Sequence, residues 1–219
     1  MIDDSHSMSN YWSEVKELLQ VLAWLIKRKD NDGFDVCFTV SAQDKNFKDT
    51  TSALKHVSNI IPQGVSNMNM RLSTILAKYN LRRKPLSLYI FTDGNWQHGS
   101  DAIAPIRNMV REMNKNNFPK ERVGIQFIRF GDEPRGTARL NSLDSHLGQR
   151  IKKEMTLAEP TVDIRHRVFD IVDTEPYHGD IMKMLLGAIN PWFDGDEDPA
   201  FDGLMGIKAT TTPLLEIAD

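Results

Sequence analysis

Cysteine is almost missing from this chain: Cys37 is the only one in 219 residues. A disulfide within the chain is impossible, and a zinc site built on thiolates has a single sulfur to draw on. Long apolar runs are missing too. The greasiest stretch, Leu18 to Ile26, contains Gln20 and falls well short of the ~20 residues a membrane-spanning helix needs. No secretory leader is visible, because Asp3 and Asp4 stand at the start. Charge of one sign is also lacking, since 27 basic residues against 30 acidic ones give a formal net charge of −3. That balance makes no electrostatic case for nucleic acid or an anionic membrane surface. The absences together lead us to expect an intracellular, cytoplasmic protein that binds neither nucleic acid nor membrane.

What is present is ordinary for a folded chain. Hydrophobic residues make up 40% and charged residues 26%, which excludes collagen-like and largely disordered classes. One domain is the expectation at this length. Met1-Ile2-Asp3-Asp4-Ser5 reads as the last residues of a strand whose beginning is missing, so a piece of a longer multidomain chain is expected.

Residues 10–29 carry a helical stripe through Tyr11, Val15, Leu18, Leu19, Leu22 and Ile26. Trp12, Val21, Trp24 and Leu25 widen it, which predicts a well-buried helix. Phe34 to Val40 is β-branched and aromatic, hence a strand, and a brief edge strand is expected near Phe47. Helical spacing returns over 51–61 and 68–79. Leu86 to Thr92 is nearly continuous in apolar residues, as suits a strand covered on both faces. Further helices are expected over 100–116, 138–155 and 181–189, with strands over 123–130 and 168–172. Strands alternate with helices throughout. The expected fold is α/β: a Rossmann-like, doubly wound, mostly parallel central sheet with helices on both faces. It spans residues 1–190. After Pro191 the chain turns acidic and loses periodicity, so 191–219 reads as a tail.

In open parallel sheets, ligands bind beyond the carboxyl ends of the strands, at the point where strand order reverses. Three polar clusters fall on that rim: Asp3-Asp4-Ser5-His6-Ser7, Gly64-Val65-Ser66-Asn67 and Thr92-Asp93-Gly94. Asp3, Asp93, Ser5, Ser7 and Ser66 offer carboxylate and hydroxyl oxygens only. Such hard donors, with room for water, suit Mg2+ or Mn2+ better than Zn2+.

Asp3-x-Ser5-x-Ser7, a hydroxyl at Ser66 after a Gly, and Ile90-Phe91-Thr92-Asp93-Gly94 together resemble the metal-ion-dependent adhesion site of von Willebrand factor type A domains. The resemblance covers roughly residues 1–190, and the local sequence is similar to fungal intracellular members carried on larger multidomain proteins. It implies a Mg2+-type ion bound directly by Ser5 and Ser7. Ser66 would alternate between direct and water-mediated contact. Asp3 and Asp93 would act mainly through waters or through bonds to the other ligands. The implied function is a protein-binding module, not an enzyme, that grips an Asp or Glu of a protein partner through the ion. Two departures stand out. His6 occupies a position where the family usually has Gly, and Ser66 replaces the usual Thr.

Plainer readings exist for the same residues. Asp and Ser before a helix are ordinary caps, and Thr-Asp-Gly is an ordinary turn. His6 and His98 read as polar loop residues, and Met68 and Met70 as core filling. Arg82-Arg83-Lys84 and Arg150-Lys152-Lys153 read as solvated helix ends, and Cys37 as a small buried hydrophobe. Two other functions compete. One is a metal-free scaffold within a larger protein. The other is a Mg2+-dependent phosphoryl-transfer enzyme. A dehalogenase-type phosphatase would need Asp where Ser5 stands. A receiver domain would use Asp3 and Asp4 with a phosphoacceptor near Asp49, which here precedes a helix.

Overall fold

A computed structural model of the chain describes residues 1–27, 32–158 and 167–188. It is mixed α/β. After a 3-10 turn at His6–Tyr11, helix α1 spans Trp12–Lys27 and buries Trp12, Val15, Leu18, Leu19, Leu22 and Ala23. The buried stripe is narrower than the sequence implies, because Val21 and Trp24 are exposed. Strand β1 (Phe34–Val36) pairs antiparallel with β2 (Lys45–Phe47), Phe34 lying opposite Phe47. Phe47 thus belongs to a short strand, as expected. Helix α2 (Thr50–Ser58) starts where the Asp49 carboxylate accepts the Ser52 N–H at 2.8 Å. That cap occupies the carboxylate a receiver-type reading would need as phosphoacceptor. Helix α3 (Met68–Lys78) starts in the same way, with Asn67 Oδ1 accepting the Met70 N–H.

Strand β3 (Leu86–Thr92), helix α4 (Ile103–Lys115), strand β4 (Val123–Arg129), helix α5 (Pro134–Ala158), strand β5 (Val172–Pro176) and helix α6 (Ile181–Leu186) follow. The strands β3-β4-β5 form a parallel sheet in that order. Its register sets Leu86 against Val123 and Ile125 against Val172. Central β4 is buried from Val123 to Ile128, as an apolar run covered on both faces should be. The last strand is displaced from its expected position at 168–172. Val168 and Ile171 are buried apolar residues that precede the ladder, whereas β5 itself carries Asp173, Thr174 and Glu175. Glu175 is held by Lys183 at 3.4 Å and by the Asp180 N–H at 3.2 Å, so polar residues fill a strand that apolar patterning could not find.

Two apolar cores form. One gathers Leu72 and Leu76 of α3, Ile106 and Val110 of α4, and Leu140 and Leu147 of α5 around Leu88, Ile90, Ile125 and Phe127. The other gathers α1, Ala53 and Val57 of α2, and Met184 of α6 around Ile2, Phe91 and Ile128. Neighbouring residues Ile90 and Phe91 serve different cores, which is the two-residue period of a strand packed on both faces. Residues 1–3 run between β3 and residues 37–39, which directly follow β1. The Ile2 N–H donates to Cys37 O at 2.7 Å and the Thr39 N–H to Ile2 O. On the other side, the Asp3 N–H donates to Phe91 O at 2.8 Å and the Phe91 N–H to Met1 O.

Three minor expectations change. Met68 is buried but Met70 is exposed, so the pair is not core filling as a unit. Arg150, Lys152 and Lys153 lie within α5 rather than at its end. Cys37 is half-buried rather than enclosed. No helix among the described residues is long and apolar enough to cross a membrane. The expected tail, 191–219, lies outside the described residues.

Candidate functional site

Asp3 ends the segment that bridges residues 37–39 and β3, and it is fully buried. Its carboxylate is held on three sides. Oδ1 accepts the Ser5 N–H at 3.2 Å and the Thr39 hydroxyl at 3.0 Å, and Oδ2 accepts the Thr92 hydroxyl at 2.7 Å. Thr92 immediately precedes Asp93, so the two carboxylates share one bonded framework. Ser5 Oγ and Ser7 Oγ lie 3.2 Å apart in the turn that follows. The Ser7 hydroxyl also favours the charged form of the Asp93 carboxyl. Three of the five expected donors, Asp3, Ser5 and Ser7, are thereby joined by direct bonds, and Asp93 is tied to Asp3 through its neighbour Thr92.

Ser66 is brought alongside by its backbone. The His6 N–H donates to Gly64 O at 3.0 Å, and the Gln63 N–H to Asp4 O at 2.8 Å. On its far side the Gln97 N–H donates to Ser66 O at 2.9 Å. Ser66 is fully buried, yet its hydroxyl has no hydrogen-bond partner. A buried hydroxyl without a partner costs about 1–3 kcal/mol, which coordination to an ion would offset.

Asp93 sits in a tight turn. Its Oδ1 accepts the Asn95 N–H at 2.9 Å, and Gly94 follows at φ 75°, a left-handed conformation that disfavours any side chain. Gly136 in the first turn of α5 packs against this turn so closely that a Cβ there would overlap the Asp93 carbonyl oxygen. Arg139, one turn further along α5, donates to Gly94 O at 2.6 Å. Helix α5 therefore clamps the Asp93 turn from outside.

Burial raises the proton affinity of both carboxyls. For Asp3 desolvation dominates, the Thr92 and Ser5 hydrogen bonds pull the other way, and the Asp93 charge raises it further. For Asp93 burial again dominates, the Asn95 N–H and Ser7 hydroxyl oppose it, and the Glu133 charge adds to the rise. Two desolvated carboxylates that repel one another form a place where a cation is favourable.

Asp4 is spoken for elsewhere. It accepts the Val40 N–H at 2.7 Å, the Ser41 N–H at 2.9 Å and the Thr39 hydroxyl at 3.3 Å. Its work is to shape the 39–41 loop. Asp4→Ala should therefore cost about 1–2 kcal/mol in a urea titration, since it strands two part-buried N–H donors, while leaving the oxygen donors of the site in place. His6 and His98 are exposed. The His6 departure thus turns its imidazole to solvent and removes no donor.

Sequence reasoning missed Thr39, Thr92, Glu133 and Gly136. Thr92 stood in the motif but was given no role. Its Oγ1 also accepts the Gly94 N–H at 3.1 Å and Trp96 Nε1–H at 2.8 Å, so it ties strand, turn and carboxylate together. Among the described residues, no three His, Cys, Asp or Glu side chains form a metal-holding group. The cluster found here has two carboxylates and three hydroxyls and so differs from that pattern. All its donors are oxygen, and one buried donor is unpartnered, which fits a hard divalent cation. Comparison of the sequence with known protein families and with curated proteins returns no match to either.

Proposed function

We propose that this chain is a von Willebrand factor type A-like domain that binds Mg2+ or Mn2+ at Asp3, Ser5, Ser7, Ser66 and Asp93. The ion serves there to grip an Asp or Glu of a protein partner. The observation that carries the reading is the buried, unpartnered Ser66 hydroxyl on a segment whose backbone is bonded to the Asp3–Ser7 turn, which holds the buried Asp3 carboxylate and two bonded serines. The fold that goes with it is the Rossmann-like, doubly wound sheet. Its support is the pairing of Ile2 with both Phe38 and Phe91, which would join the two sheets into one run: β2, β1, residues 1–3, β3, β4, β5. In that order the reversal point lies between residues 1–3 and β3, which puts Asp3 and Asp93 on either side of it.

The chain's own residues do most of the work. Thr39 and Thr92 fix the Asp3 carboxylate, and the Asn95 N–H fixes that of Asp93. Ser5, Ser7 and Ser66 add neutral oxygens, so the donor set carries at most two negative charges. A divalent ion held by such donors supplies a positive charge open to an anionic ligand from outside. Among the described residues no side chain is paired in the site as base and orienter, as a catalytic nucleophile would require, and we assign a binding module.

Because the ion binds the folded state, Mg2+ or Mn2+ should raise the melting temperature by mass action. At 100 times the dissociation constant the gain is about 2.7 kcal/mol, or roughly 5–10 °C for a domain of this size. Ser5→Ala and Asp93→Ala should abolish the response, and chelator should reverse it in the unaltered domain. No response at millimolar ion would leave the metal-free scaffold as the better reading.

A further inference from the structure

A cleft of about 620 Å3 lies between α3 and α4. Its lining includes the buried Leu76, Leu81 and Met109 and the half-buried Phe118. Leu81 precedes β3 and Phe118 precedes β4, so the cleft opens at the end of the sheet opposite Asp3 and Asp93. An apolar cleft of this size is a binding groove rather than ordinary surface. Its mouth is basic. Lys78 and Arg82 line it, Arg83 and Lys84 follow, and all four are exposed with no acid among residues 78–84. Arg82 Nη2 donates to Asn116 Oδ1 at 3.1 Å, and Lys84 faces Asp32. Glu112, the acid in the lining, accepts from Asn116 Nδ2 at 2.7 Å.

The chain itself supplies a segment of matching chemistry. Beyond Ala188 come Pro191-Trp192-Phe193, then Asp194, Asp196, Glu197, Asp198 and Asp202 with no base among them. Two adjacent aromatic rings, each of about 150–250 Å2, call for apolar cover. The acids that follow complement the basic 78–84 stretch. The start of this segment is also close by. Ala188 lines a small cleft with Ser87 and Gly124, near the beginnings of β3 and β4. Gly124 is two residues from Arg122, about 7 Å along the backbone. Arg122 Nε in turn donates to Leu81 O in the wall of the large cleft. The stretch 189–193 spans up to about 17 Å when extended, which covers such a path.

We propose that the segment after Ala188 folds back across the end of the sheet and docks Trp192 and Phe193 in the α3–α4 cleft, with the acids of 194–198 against Lys78 and Arg82. Covalent attachment raises the local concentration of the segment at the cleft to about millimolar. The contact ties the end of α6, on one face of the sheet, to α3 and α4 on the other. It does not depend on the metal-site reading.

The experiment uses the full chain with benzoylphenylalanine in place of Phe193, irradiated at low micromolar concentration, with crosslinks located by mass spectrometry. Crosslinks are expected to residues 73–82 or 105–118 of the same chain. Ala77→Glu, at an exposed position in the cleft, should cut their yield at least fivefold while the far-UV circular dichroism stays unaltered. Lys78→Glu/Arg82→Glu should lower the yield severalfold, and it decides alone if Ala77→Glu fails to fold. Crosslinks to other parts of the chain, crosslinks of doubled mass between two chains, or none at all overturn the inference. So does a yield that either folded variant leaves unchanged.

Discussion

The Thr92→Val domain is expected to lose about 4 kcal/mol at neutral pH, a fall of roughly 10 °C in melting temperature. Valine keeps the shape and removes one oxygen. That oxygen donates to Asp3 Oδ2 and accepts from the Gly94 N–H and from Trp96 Nε1–H. Its loss strands two buried donors and part of a buried carboxylate, each worth about 1–3 kcal/mol. Trp96→Phe, which removes one of those donors, should cost less.

The same variant has a pH signature in metal-free buffer. Burial lifts the Asp3 carboxyl above its ordinary value of 3.8 in the folded state. Ionised Asp3 then weighs against folding. This penalty is absent below the unfolded chain's carboxyl range and grows as pH rises through it. The Thr92 hydrogen bond lessens the penalty. Thr92→Val should therefore fall further behind the unaltered domain as pH climbs from about 4 to 7, read by urea titration in chelator. A gap that stays constant across that range would mean Thr92 does not support the charged form of Asp3.

Gly136→Ala is the second large effect, at about 3 kcal/mol. The new methyl group would drive into the Asp93 carbonyl, and neither backbone has room to yield, since Gly94 Cα-side space is filled by Gly136 in return. The prediction joins stability to function, because the displaced turn carries the Asp93 carboxylate. The melting temperature should drop, and the remaining folded protein should need several-fold more Mg2+ for a given thermal shift. An alanine variant with unaltered stability and ion response would show that α5 does not hold the Asp93 turn.

Much of the architecture was legible before any coordinates. The helical stripes in α1 and α3, the apolar runs of β3 and β4, and the short strand at Phe47 all appear near their expected places. Local periodicity suffices where one face of an element is apolar. It fails at β5, where Asp173 and Glu175 are buried and Glu175 is paired with Lys183 and the Asp180 N–H. The site was partly legible for a related reason. Asp3, Ser5, Ser7, Ser66 and Asp93 stand out as clustered oxygen donors on the rim. Thr39 and Gly136 do not, because their roles exist only once residues 37–39 lie beside residues 1–3 and α5 lies on the Asp93 turn. Met70 shows the limit of reading by residue type: at a helix start it faces outward, where its neighbour Met68 is buried.

The bonds that hold Asp3 have a consequence for the order in which the chain acquires its shape. Its partners Thr39 and Thr92 lie 36 and 89 residues away in the chain. Closing loops of such different lengths onto one carboxylate demands that both flanking strands be in place first, which is the costly, non-local kind of contact that slows folding. A nascent or partly melted chain therefore has no half-built version of this centre to offer. If the ion binds as proposed, its binding and completion of the fold would be a single cooperative event, and the amide protons of Ile2, Asp3 and Phe91 should exchange with solvent on the schedule of global opening.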